Sequence, residues 1–199
     1  MKLWLMAVCC VLGMGSLAAT GQMGAGGAQG PAAGTQASPA TAVDSQLSLI
    51  EEEMMGAVKA MPAEKYGFAP SAAIFVPGQT TQFATVRTFA QQATHVAMAN
   101  YFFYSTVGGL KPDVDVRGLT KLTNKDEVMA ALAGSFAFAH KAIATLTTEN
   151  AFEVVKISEP GVQTRSTLAT FGVAHAFDHY GQMVEYLRMN GIVPPASAR

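Results

Sequence analysis

Two histidines four residues apart, His175 and His179, are the residues of this chain whose type and spacing point most directly to chemistry. Positions i and i+4 of a helix lie one turn apart on one face, so both imidazoles can share a single cation. The helical projection puts Leu168, Phe171, Gly172, Gln182, Met183 and Tyr186 on that face, most of them core-like, so the pair points inward. Buried together without a metal, two imidazoles would need hydrogen-bond partners and would resist protonation. An HxxxH pair alone is weak evidence, because surface or satisfied core histidines are the commoner outcome. A third ligand must come from another segment, and only His95 and His140 remain. His95 shares a face with Gln91, Ala99 and Phe102, whereas His140 lies on a stripe with Phe136, Ala137, Ile143 and Ala144. Periodicity leaves both open.

Three neutral imidazoles around a divalent ion leave positions for a water or a substrate atom. Such an ion brings the pKa of a bound water to about 7, polarises a substrate oxygen or stabilises a thiolate. Hydrolysis and thiol transfer are both open to it. Ala176 stands where an HExxH protease carries its glutamate, so a metalloprotease is excluded. Asp178 projects about 100° from His179 and Glu185 lies outward with Arg188, and both read as solvated helix charges. Gln182 and Tyr186 share the histidine face and are weak candidates for orienting a ligand or water, with core packing the default for Tyr186. Tyr101, Phe102, Phe103 and Tyr104 read as core, with part of the run available to a second subunit in a homodimer. The methionines are scattered at helical positions, as in ordinary packing, without the close MxxM repeats of a copper site.

Composition narrows the class. The 199 residues suit one ordinary domain with flanking sequence, and half of them are hydrophobic, which excludes a wholly disordered chain. Thirteen basic against fourteen acidic residues leave a net charge of −1, too little positive surplus for nucleic acid or an anionic membrane surface. Lys2, the apolar run Leu3 to Leu12 and the small-x-small triplet Ser16-Leu17-Ala18 read as an export signal cleaved after Ala18. Gly13, Gly15 and Ser16 break the run before the ~20 residues a membrane span needs. Both cysteines, Cys9 and Cys10, fall inside that signal, so a metal site must use nitrogen and oxygen. The expected location is therefore periplasmic or secreted. Residues 19–43 are rich in Gly, Ala, Gln, Ser, Thr and Pro and read as a disordered low-complexity linker, with the domain over 44–199.

Four helical segments must position the histidines. The first, Ser45 to Met61, carries Leu47, Ile50, Met54, Val58 and Met61 at three- and four-residue steps and ends at Pro62. A second runs from Gln79 to Val107 and closes at Gly108-Gly109. Thr123-Asn124-Lys125-Asp126-Glu127 caps a third, which reaches Leu146, and the fourth spans Gln163 to Asn190 before Gly191. The predicted fold class is all-α, a four-helix bundle.

The stretches Thr94-His95-Val96-Ala97-Met98-Ala99-Asn100-Tyr101-Phe102-Phe103, His175-Ala176-Phe177-Asp178-His179-Tyr180-Gly181-Gln182 and Tyr186-Leu187-Arg188-Met189-Asn190-Gly191-Ile192-Val193-Pro194-Pro195 resemble the DinB-like (DinB/YfiT) superfamily. Met61-Pro62-Ala63-Glu64-Lys65-Tyr66 is similar to that family's segment after its first helix, and the resemblance covers about Gln46 to Ser197. It implies a four-helix bundle with a divalent metal on three histidines, one from the second helix and an HxxxH pair from the fourth. By that resemblance the metal ligands are His95, His175 and His179, and His140 is structural. No catalytic residue is assigned. The implied activity is a metal-dependent hydrolase acting on a small molecule; the alternatives are a thiol S-transferase-like enzyme and a non-catalytic metal- or ligand-binding bundle. Zinc is the default ion, with nickel or iron also suited to imidazole.

Overall fold

The computed structural model describes residues 32–71, 76–79, 86–158, 161 and 163–198. The expected export signal, both cysteines and most of the expected linker lie outside the described residues. Backbone contacts divide the chain into residues 1–35 and a compact unit over Gln36–Arg199.

Four long helices make up the larger unit: α1 Pro39–Ala60, α2 Phe89–Gly108, α3 Lys125–Ile143 and α4 Arg165–Met189. Each start is fixed by a side chain that takes up a free main-chain N–H. Ser38 accepts from Thr41 N at α1, and Asn124 accepts from Asp126 N and Glu127 N at α3. Thr88 with Gln91 and Thr164 with Thr167 form reciprocal capping boxes at α2 and α4. Gly109 (φ 65°) and Gly191 (φ 74°) take the left-handed conformation where α2 and α4 end, as their positions predict. Two starts differ from the sequence expectation. Pro39 at the first turn of α1 suits a helix entry, so residues 39–43, expected in the linker, are helical. The Thr88 capping box starts α2 at Phe89 rather than Gln79; of the intervening residues, 86–88 are not helical and 80–85 lie outside the described set.

α2 packs against α3 and α4, and α1 packs against the same two helices, so α1 and α2 stand at opposite corners of the bundle. Leu47, Ile50, Met54 and Val58 of α1 meet Phe136, Leu168, Met183 and Leu187 in one continuous core. The crossings are close. A Cβ on Gly172 would lie 2.8 Å from the Tyr104 hydroxyl, and one on Gly108 would lie 2.9 Å from Ala142 Cα. Tyr104 is wholly buried and donates to Ala169 O at 3.1 Å, which holds α2 to α4. At the other end Lys125 Nζ donates to the Lys59 and Met61 carbonyls at 2.8 Å each, placing a cation on the negative end of α1. The short 3-10 turn Pro195–Ser197 lies on α1 beside Gly56. No described helix is long and apolar enough to cross a membrane.

Candidate metal centre

The capping box at Thr88 sets the rotation of α2, and two turns further along this brings His95 to the side that meets α4. On α4 the four-residue spacing stacks His175 and His179 toward it. The three rings converge, with centroids 5.1 Å apart for His95 and His175, 4.7 Å for His95 and His179, and 4.6 Å for His175 and His179. One nitrogen from each lies within 4.8 Å of the other two. Of the two histidines that periodicity left open, the structure brings His95 to the pair. His140 is elsewhere, between α3 and α1, with Nδ1 2.5 Å from Asp44 Oδ1 and Nε2 2.9 Å from Glu51 Oε2.

The nitrogens fit a shared cation. The Nε2 atoms of His95 and His175 are 3.2 Å apart. Two nitrogens on one tetrahedral zinc at the usual bond length would be about 3.4 Å apart. His179 is oriented by a chain of hydrogen bonds that runs in one direction. Its Nδ1 lies 2.7 Å from Gln92 Oε1, Gln92 Nε2 donates to Gln182 Oε1 at 2.8 Å, and Gln182 Nε2 donates to Asp178 Oδ2 at 2.9 Å. A carboxylate only accepts, so Gln182 must turn its NH₂ to Asp178 and its carbonyl to Gln92. Gln92 then presents its own carbonyl to His179, the Nδ1 carries the proton, and the Nε2 lone pair is left for a ligand. Both Gln92 and His179 are buried.

Burial, the Arg87 guanidinium and His175 hold His95 down at about 4. Burial and the neighbouring His175 and His95 rings hold His179 at about 4 as well, against the opposing pull of Asp178. Protonation is thus resisted where lone pairs are needed. Phe103 packs edge-on against the His175 ring at 5.5 Å. His95 borders two openings: a cavity of about 540 Å³ with Val86, Arg87, Gln91, Thr94, Met98 and Thr120, and one of about 280 Å³ with Met98, Ala99, Phe102 and Val116.

The weaker candidates divide. Gln182 reaches His179 through Gln92, whereas the Tyr186 hydroxyl donates to Arg87 O at 3.0 Å and so braces the segment before α2. Phe171, expected inward, is 38% exposed, and Phe102 is the exposed member of an otherwise buried aromatic run. Sequence reasoning missed Gln92 and Arg87. Gln92 had a signal: an amide one turn before His95, as Gln182 is one turn after His179. Arg87 precedes the helix and had none.

The family model described as the DinB superfamily matches residues 46–183. Among solved structures, the crystal structure of a DinB-like protein from Bacillus cereus ATCC 10987 aligns with a TM-score of 0.63 at 14% identity, covering 78% of this chain and 95% of that one. At that identity the likeness speaks for the fold. No curated protein matches the chain. The matched family model spans all three histidines and most of the bundle, and the chain belongs to the DinB superfamily.

Proposed function

We propose that this protein binds one divalent metal ion through His95, His175 and His179 and uses it as a hydrolase on a small molecule. The convergence of one nitrogen from each histidine within 4.8 Å is the observation that carries the reading. When bound, the ion lowers the pKa of a coordinated water and polarises a substrate oxygen. The chain's own contribution is positional. Gln92 fixes the His179 tautomer, burial keeps His179 neutral, and Phe103 limits how far the His175 ring can tilt. Zinc suits three imidazoles and is the proposed ion, with nickel and iron as the competing occupants.

One observation favours a second reading, thiol transfer. Among the described residues lining the two cavities at His95 there is no Asp or Glu to act as a general base. A reaction whose nucleophile is activated by the ion alone, such as a thiolate, needs none. We also propose export to the periplasm or beyond from the signal-like residues 1–18, and self-association through the exposed Phe102.

Elemental analysis of the purified chain beside the His175→Ala/His179→Ala variant tests the core of this reading. About one divalent ion per chain in the parent and none in the folded variant is the expected result. A parent that holds no metal after exposure to zinc or nickel overturns it. Turnover of ester or amide substrates against thiol substrates by the loaded protein separates the two reactions, and absence of both leaves a metal-binding bundle.

A further inference from the structure

The donor set is uncharged, so a divalent ion on it keeps its full charge. Nothing in the two adjoining cavities offsets that charge: among their described lining residues there is no carboxylate, and one of them is Arg87. Asp178 is the acid whose charge reaches His179, and its Oδ2 is already engaged by Gln182. Arg87 is exposed, and its charge reaches both His95 and His179. Glu185 borders a third cavity together with Arg87, but its Oε1 is held by Arg188 Nη1 at 2.7 Å. No ion pair involves Arg87 among the described residues.

The main chain at Arg87 is nonetheless held on both sides. Tyr186 donates to its carbonyl at 3.0 Å, and Tyr186 is itself packed edge-on against Phe68 at 5.6 Å. The next residue, Thr88, is locked in the capping box. A guanidinium on an anchored stem, beside a cation site and without a counter-ion among the described residues, is arranged to meet a charge that the ligand brings.

Resting on the metal reading above, we propose that the ligand of this site is a small carboxylate-bearing molecule, whose carboxylate pairs with Arg87 while a second donor atom meets the ion held by the three histidines. The carboxylate accepts two parallel N–H bonds from the planar fork. The ligand's negative charge completes the balance of the site. An uncharged molecule of the same shape would leave the guanidinium and the ion uncompensated.

The test uses the full chain loaded with cobalt(II), whose visible spectrum changes when a further nitrogen ligand binds. Two probes share the imidazole and its side chain but differ in charge: imidazole-4-propionate and its methyl ester. The parent should prefer the acid, and Arg87→Gln should weaken acid binding about tenfold while leaving the ester unchanged. Arg87→Lys, which keeps the charge and loses the fork, should retain part of the preference. Cobalt stoichiometry equal to the parent's checks that the variants still form the site. A parent that loads cobalt but binds both probes equally overturns this assignment alone, as does an equal loss of both probes in Arg87→Gln. A parent that takes up no cobalt overturns the metal reading with it.

Discussion

At the scale of single residues, the consequential side chain is Gln92. Its amide decides which nitrogen of His179 is free, and it can do so because Asp178 and Gln182 fix its own orientation. Gln92→Ala should weaken zinc affinity about 10- to 100-fold with little change in the fold, measured by competition against a chromophoric chelator. Gln182→Ala should weaken it less, since Gln92 remains in contact. His140 makes a separate prediction. Burial alone would lower its pKa, but the hydrogen bonds and charges of Asp44 and Glu51 outweigh burial and raise it above the usual value. Its contribution to stability is thus complete below the unfolded-state pKa of about 6.5 and is lost as pH rises through the higher folded value. His140→Gln should lower the unfolding free energy read from urea denaturation at pH 6 by about 1 kcal/mol after allowing for solvent screening, and have a smaller effect at pH 9. An equal loss at both pH values would show that the charged contact contributes nothing. Spacing showed the His175 and His179 pair and the family resemblance added His95, whereas Gln92 showed only as an amide one turn before His95, and its role depends on a partner 90 residues away in sequence.

At the scale of elements, the caps and crossings dominate. Thr88→Ala removes the hydroxyl that accepts from Gln91 N and should cost about 1 kcal/mol in chemical denaturation. Gly172→Ala should cost about 1–3 kcal/mol, because the new methyl meets a buried tyrosine whose hydroxyl is tied to Ala169 O. Pairing it with Tyr104→Phe should recover part of that loss, which a double-mutant cycle reads directly. Helix number and the apolar stripes were legible in the sequence because Leu47, Ile50, Met54 and Val58 recur at helical spacing and all are buried. Helix starts were less so. Ser38-Pro39 looks like linker by composition and acts as a helix entry, since a cap and a proline at the first turn outweigh the Ala- and Pro-rich neighbourhood. The start of α2 is ambiguous in the sequence because Thr80, Thr81, Thr85 and Thr88 all offer capping hydroxyls, and the structure forms the capping box at Thr88.

At the scale of the whole molecule, the proposed metal reading links metal to fold. An ion that binds the folded chain and not the unfolded one raises the unfolding temperature in proportion to the logarithm of its free concentration. Zinc should therefore raise the melting temperature of the parent by several degrees, a chelator should reverse the rise, and the His175→Ala/His179→Ala variant should show neither. The site joins residue 95 to residues 175 and 179, and nothing before α4 can complete it. A chain whose α4 is not yet made has at most one of the three nitrogens in position. On the proposed metal reading the ion is acquired only once α4 docks, and the compartment in which that happens sets which metals are on offer. Imidazole sites accept zinc, nickel and copper, and availability rather than raw affinity settles which one is held, so under the proposed export the order of folding and transport would become part of metal selectivity.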